Sequence, residues 1–306
     1  MKTVLITGAT GFIGSWLLKN FLKQGFRIFA HGSSKKSVSR LRQRIKEKGY
    51  TDKKIEYWEQ DFRSQSWDFP DFREIDFVIH CAALTSVRQG TREHYDEYFK
   101  VNVVGTKKLA QKALTYRISH FLHFSSGQIY GKPRSFPINE HTPKEPINIY
   151  GFTKLMSEEV IKSFGTLGLN YTIVRPFSVY GRGQTNIISI IGNKIKNNKP
   201  LTIFGDGTQK RAFMHIKDIC AAINLVLGNK RAFHEEFNLS GPEEYSVNDL
   251  VEMMSQQLNN TTDVIYEESE VDELQRNIAD TTKIQNLGFS YEYFLPDYIA
   301  QQISKD

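Results

Sequence analysis

Residues 3–14, TVLITGATGFIG, join an apolar, β-prone run to three glycines spaced three apart, and then to a stretch of helical period. A buried strand that turns straight into a helix is the opening of a parallel sheet, because parallel strands need crossover connections. The alternation recurs. Apolar runs stand at FRIFA (26–30), FVIHCAA (77–83), HFLHFSS (120–126) and YTIVR (171–175), with helical patterns such as WLLKNFLKQG (16–25) and VVGTKKLAQKAL (103–114) between them. The pattern predicts an α/β fold with a doubly wound parallel sheet. After residue 176 short elements mix with Gly-rich turns, FGDGTQ (204–209) and LSGPEEYS (239–246), as in a smaller mixed domain. The expected division is 1–175 and 176–306, with a segment near 213–240 returning to the first domain.

The glycine spacing gives that first domain, of the Rossmann type, a chemistry. Gly8 permits a tight turn, Gly11 lets the backbone approach a pyrophosphate, and Gly14 lets the following helix pack closely; the anion would rest on the first helical turn at Phe12 and Ile13. After the second strand such chains usually place an acid for the ribose 2′-hydroxyl. Here HGSSKKSVSR (31–40) offers Ser33, Ser34, Lys35, Lys36 and Arg40. Cations and hydroxyls suit a 2′-phosphate, so NADP(H) is favoured, with NAD(H) the alternative. The stretch also reads as the solvated start of a basic helix. Asp61, in EQDFRS (59–64), is a partner for the adenine amino group or a plain turn aspartate.

The formal net charge of +6 raises the question of polyanionic partners. Basic residues crowd into 35–54, but no aromatic residues interleave with them as a stacking platform requires, so nucleic acid is not expected. No apolar run approaches the ~18 residues of a membrane span, and the start, MKTVLITGAT, reads as a strand rather than a secretory signal. Cys81 and Cys220 are far apart among apolar neighbours, so no disulfide framework is expected. A reduced, cytoplasmic protein without a metal site is the expectation.

YGFTK (150–154) sets Tyr150 and Lys154 four apart, on one helical face. A free phenol titrates near ~10; an adjacent ammonium and an oxidised nicotinamide are expected to lower that value and make it an acid–base at neutral pH. With 14 tyrosines, about one such match arises by chance. Tyr50/Lys54 is a second, and reads as surface. Tyr150 differs because HFLHFSS delivers Ser125 and Ser126 to the carboxyl end of the sheet, where ligands of such folds bind; one of the two would polarise a substrate oxygen.

In order along the chain, TGATGFIG, HCAA, VNVVGT, SSGQIYG, YGFTK, RPFSVYGRGQ, FGDGTQKRAF and FNLSGPEEYSVNDL resemble the extended short-chain dehydrogenase/reductase family, the nucleotide-sugar epimerases, dehydratases and reductases; NIADTTKIQNLGF (277–289) is similar to its closing element. The resemblance implies Ser126, Tyr150 and Lys154 as the catalytic triad. It implies Phe62, Ala82, Pro176 and Ser178 beside the cofactor, with RPFS (175–178) on the nicotinamide side. Thr85, Ser126 and Ser178 would meet the sugar, and Arg211 and Arg276 would grip the diphosphate, although either arginine also reads as a surface ion pair. Gly127 and Gln128 stand where 4,6-dehydratases of this family carry an Asp–Glu pair, which argues against dehydration. Ala212 replaces an aspartate, and Ser178 an asparagine. The expected activity is NADPH-dependent reduction of an NDP-4-keto-6-deoxyhexose at C4; the alternative is a nucleotide-sugar 4-epimerase with tightly bound NAD. A non-catalytic binding protein on this fold is the remote one. The family also implies a homodimer packed through helices near 93–114 and 150–165.

Overall fold

The computed structural model describes residues 1–50, 52–86, 94–268 and 275–303. Residue 93 of the expected dimer helix and Thr51 of the basic stretch lie outside them. The chain runs β1 (Thr3–Thr7), α1 (Phe12–Lys23), β2 (Arg27–Gly32), α2 (Lys35–Glu47), β3 (Ile55–Glu59), β4 (Phe77–His80), α3 (Tyr95–Tyr98), α4 (Gly105–Thr115), β5 (His120–Phe124), α5 (Ile149–Gly165) and β6 (Tyr171–Pro176). It continues through β7 (Ser178–Tyr180), α6 (Ile187–Lys196), β8 (Leu201–Phe204), β9 (Lys210–His215), α7 (Ile216–Val226), β10 (Glu235–Leu239), β11 (Glu244–Ser246), α8 (Val247–Leu258), β12 (Val264–Glu267), β13 (Arg276–Asn277), α9 (Thr282–Gln285) and α10 (Leu295–Ile303).

Two compact units form. The first comprises Met1–Gly131, Pro143–Arg175 and Ala222–Phe237. Its seven-stranded sheet has the order β10-β6-β5-β4-β1-β2-β3, parallel in the registers from β3 to β6. The doubly wound α/β fold expected from the alternation is what the structure shows. β1, β4, β5 and β6 are buried along their whole length, which is why they read as continuous apolar runs. α1 turns Leu17, Leu18 and Phe21 to the sheet. α2 buries only Leu41 and Ile45, and starts with a capping box in which Ser34 and Ser37 satisfy each other's backbone groups. The strand order reverses between β1 and β4, the switch point beyond which ligands of such sheets bind.

The second unit comprises Lys132–Thr142, Pro176–Ala221 and Asn238–Asp306. β9 is its centre, pairing antiparallel with β11 and parallel with β7 and β13, while β8 and β12 form a separate parallel pair. Ile188, Ile191 and Ile195 of α6 meet Leu250 and Met254 of α8 and Ile299 of α10 in its core.

Candidate active site

At this switch point the backbone comes too close for side chains. Gly8 has φ +68°, and a Cβ there would lie 2.8 Å from the Ala82 nitrogen. A Cβ on Gly14 would lie 2.3 Å from the Gly8 carbonyl oxygen. Gly11 starts α1 with no side-chain cap and no acid in the first turn, so the first amides, at Phe12 and Ile13, face an end open to an anion. This donor set and this cradle fit a dinucleotide pyrophosphate. The loop is pinned from below: the Gly8 amide donates to His31 Nδ1 (3.1 Å), and His31 Nε2 donates to the Gln60 carbonyl (2.8 Å). Both bonds require the neutral ring, and burial lowers the His31 pKa to about 4.

At the adenosine end the structure gives each candidate residue a local setting. Both Asp61 oxygens are held by Arg63 within the same turn, at 2.7 to 3.1 Å, which is the turn role. The Phe62 ring is buried, stacked between His31 and Trp67 at 4.4 and 4.2 Å, so it belongs to the core. Ser34 caps α2, whereas Ser33, Lys35, Lys36 and Arg40 are exposed. Two residues here escaped the sequence. Gly32 ends β2 where an acid would stand, and a Cβ there would lie 2.6 Å from Thr10 Cγ2 and 2.9 Å from Ser37 Oγ. Arg44, three turns into α2, returns to donate to the Thr10 carbonyl at 3.2 Å.

After β5, Ser126 caps the 3₁₀ turn Gly127–Tyr130 by accepting from the Gln128 amide (3.2 Å), and its hydroxyl is hydrogen-bonded to Tyr150. Ser125 Oγ is buried and has no partner; Ser126 is the serine the geometry joins to the tyrosine. Asn148 caps α5 by accepting from the Gly151 amide (2.8 Å) and donates to the Gln128 side chain (3.1 Å), tying this turn to the helix. Lys154 follows Tyr150 by one turn, 2% exposed; burial lowers its pKa to about 8, while Glu158 and Cys81 hold it up. Burial raises the Tyr150 pKa and the Ser126 hydrogen bond lowers it; the lowering expected from the sequence concerns the phenol beside both the Lys154 ammonium and an oxidised nicotinamide. Tyr50 and Lys54 share no helix, since Lys54 ends a separate short turn.

A hydrogen-bond chain links loop and helix. Thr7 Oγ1 accepts from the Ala82 amide and contacts His80 Nδ1 (2.7 Å); His80 Nε2 contacts Thr106 Oγ1 (2.8 Å), which donates to the Asn102 carbonyl (2.6 Å). Asn102 sits in a π-helical segment, Phe99–Val104, between α3 and α4. Its side chain clamps both backbone groups of Leu84 and donates to Thr153 (2.9 Å), between Tyr150 and Lys154. Exposed Thr85 directly follows that clamp. Asn102 was not a candidate; only its place in VNVVGT pointed to it.

In the second unit Pro176 is buried at the end of β6 and Ser178 is half-buried at the start of β7. Arg175 of the same stretch belongs to the first unit and is fully buried, paired with Glu158. Arg211 pairs in register with Asn277, and Arg276 with Lys210. Neighbouring positions alternate faces, so the two guanidinia leave opposite faces of the ladder. Arg276 instead grips Glu244 through Nε (2.8 and 2.9 Å) and Nη2 (2.7 Å) and lies over the Phe136 ring. At Arg276 the structure shows an ion pair, the reading that the sequence left open beside a diphosphate grip. Among the described residues no cluster could hold a metal ion, and no helix is long and apolar enough to cross a membrane.

The sequence profile of the NAD dependent epimerase/dehydratase family matches residues 4–240. The chain belongs to that family. A Methanocaldococcus jannaschii member with the provisional name UDP-glucose 4-epimerase is 29% identical over 310 residues, 98% of this chain and 97% of its own. The UDP-glucose 4-epimerase of Mycolicibacterium smegmatis is 25% identical, covering 99% and 97%. The Bacillus cereus UDP-glucuronic acid 4-epimerase, solved with UDP-glucuronic acid and NAD, superposes with a TM-score of 0.87 over 99% of both chains at 26% identity. The family's extended short-chain dehydrogenase/reductase character, expected from the motifs, is therefore established.

Proposed function

We propose that this chain is a nucleotide-sugar 4-epimerase acting on a UDP-hexose or UDP-hexuronic acid with a nicotinamide dinucleotide. The reading kept second in the sequence thus moves ahead of C4 ketoreduction. The observation that carries it is the full-length likeness to a 4-epimerase that binds a UDP-sugar and NAD, joined to the Ser126–Tyr150–Lys154 arrangement. A bound cofactor supplies a hydride acceptor at C4 that can also give the hydride back. The chain's own residues manage the oxygen. Tyr150 takes the proton from the C4 hydroxyl and later returns it, Ser126 donates to that oxygen and fixes the phenol, and the Lys154 ammonium stabilises the phenolate. Gly127 and Gln128 form a structural turn without a carboxyl group, so no acid stands ready to expel a C6 hydroxyl.

For the cofactor, a Cβ on Gly32 would crowd the Thr10 and Ser37 side chains, while Ser33, Lys35, Arg40 and Arg44 lie on the segment that follows β2; this supports a 2′-phosphate and NADP(H). Glu59, paired with Gly32 across the strands, is the feature that favours NAD. Arg211 is proposed as the diphosphate contact, and Thr85 and Ser178 as sugar contacts. α5 exposes Phe152 and Met156, one turn apart, as the face of a homodimer; a solution mass near the 35.3 kDa of one chain would contradict that assembly. The epimerase reading is tested with UDP-glucose deuterated at C4: the label should stay on C4 of the inverted product, and its loss to water would overturn hydride transfer.

A further inference from the structure

Thr153 and Ser157 stand four apart on the inward face of α5, both 0% exposed. Each hydroxyl donates to the backbone carbonyl three residues earlier, Thr153 Oγ1 to Tyr150 at 3.0 Å and Ser157 Oγ to Lys154 at 2.7 Å. Each is also gripped from outside the helix: Asn102 donates to Thr153 (2.9 Å), and His123 Nε2 on β5 lies 2.9 Å from Ser157. The carbonyls of Tyr150 and Lys154 are thus each tied to a neighbouring element through one hydroxyl. Serine and threonine that bond back within a helix weaken or bend it, so helix propensity does not account for two of them in step with Tyr150 and Lys154.

These bonds fix the state of His123. A hydroxyl has one hydrogen, and Ser157 gives it to the Lys154 carbonyl, so Nε2 carries the hydrogen of the His123–Ser157 bond. Nδ1 is then a bare acceptor, buried and without a hydrogen-bond partner among the described residues. Burial, then Lys154 on α5 and His80, its register partner on β4, hold the His123 pKa down; from β6 it meets uncharged Ile173. Lys154 itself faces Glu158 on its own helix, Cys81 beyond β4, and the neutral His80 and His123 rings. A buried imidazole with an unused acceptor is a costly filling for a strand interior, where an apolar ring would pack, as Phe121 does two residues earlier.

We propose that His123 is a positioning residue for Lys154: as a neutral Nε2–H donor it locks Ser157, and Ser157 holds the lysine's own carbonyl, the counterpart of the Asn102–Thr153 tie on Tyr150. This role rests on the reading above, in which the Lys154 ammonium assists turnover.

The test compares the full chain with His123→Phe, which keeps a ring and removes the donor, and His123→Gln, which keeps an N–H near the place of Nε2. Turnover is followed by C4 inversion of the UDP-sugar and, separately, by NADPH oxidation on an NDP-4-keto-6-deoxyhexose, so a failure of the epimerase reading shows as a change of substrate and leaves the comparison standing. His123→Phe should lower kcat roughly tenfold and leave KM within about twofold. Its alkaline limb should move to higher pH, because a loosened turn lets the ammonium reach water and recover a pKa that burial lowers to about 8. His123→Gln should restore most of the rate. Ser157→Ala should match His123→Phe, and the double variant should be no slower than either single one. Ser157→Ala removes only a hydroxyl and carries the test should His123→Phe not fold. Without any turnover, carbon-13 resonances of labelled lysine should show the same rise in the Lys154 titration, and nitrogen-15 resonances should show a neutral His123 with its hydrogen on Nε2. An Nδ1–H or doubly protonated ring at pH 7 overturns the role. So do a kcat and a lysine titration unchanged in both single variants, even with a lower melting temperature, a His123→Gln as slow as His123→Phe, or losses that multiply in the double variant.

Discussion

Arg175 and Glu158 form a fully buried ion pair. Nε and Nη2 of the arginine reach the two carboxylate oxygens at 2.9 and 2.8 Å, and both side chains are 0% exposed. Nη1 donates to the Tyr130 hydroxyl (2.8 Å), and Glu236 closes the network from β10 with Lys162 at 2.6 Å. Glu158 lies one turn beyond Lys154, so the carboxylate anchored by Arg175 also supports the lysine's charge against burial.

Glu158→Gln should therefore cost about 3–5 kcal/mol of stability, the scale for stranding a buried charge, measurable by urea unfolding. The Glu158→Gln, Arg175→Met pair should recover part of that loss. The single variant should also move the alkaline limb of kcat to lower pH. Lys154 is cationic below about pH 8, and losing its acid neighbour makes the ammonium harder to keep. An unchanged limb would separate Glu158 from the catalytic lysine.

Tyr150→Phe keeps the ring's packing and removes the transferable proton. Turnover should fall roughly 10²–10⁴-fold, with dinucleotide affinity and melting temperature near wild type. Near-normal kcat would remove Tyr150 from the chemistry.

Acid should loosen the phosphate loop. His31 is neutral in the fold with a pKa near 4, against 6.5 when free. The unfolded chain therefore binds the extra proton first. The stability this group contributes is complete above pH 6.5 and lost as pH falls from 6.5 to 4, by up to about 3 kcal/mol. Unfolding free energy measured at pH 7 and pH 5 should show the decline, and His31→Asn should lessen it, the remainder belonging to His80, His120, His123 and His215, whose pKa values burial also lowers. A pH-independent stability over this window would contradict the buried neutral ring.

The sequence carried the fold because periodicity and glycine spacing are local signals; the four-residue Tyr150–Lys154 step is local too, while Ser126 joined it only through the family resemblance. It could not carry contacts made across the chain. Asn102 acts on Leu84 and Thr153, Arg44 on Thr10, and Arg175 on Glu158; nothing near these residues advertises the partner. For Asp61 and Arg276 the sequence left a ligand contact and a local role both open, and the partners Arg63 and Glu244 are seen only in the fold. Phe62 read as a ligand contact because its burial depends on His31 and Trp67, which meet only in the folded aromatic cluster.

Cofactor choice follows from the corner at Gly32. NADP should bind roughly ten- to a hundredfold more tightly than NAD, the worth of a charge-assisted phosphate contact, as read by calorimetry. Arg44→Ala should narrow that ratio, and Ser33→Asp should reverse it. Equal dissociation constants in the unmutated chain would return the advantage to Glu59 and NAD.

The central claim is inversion at C4 without net redox change. Purified protein incubated with UDP-glucose, and separately with UDP-glucuronic acid, should convert one of them to a mixture with its C4 epimer, seen by proton nuclear magnetic resonance, while reduced-nicotinamide absorbance stays constant. No inversion of either sugar, together with stoichiometric NADPH oxidation on an NDP-4-keto-6-deoxyhexose, would contradict the account and establish a ketoreductase.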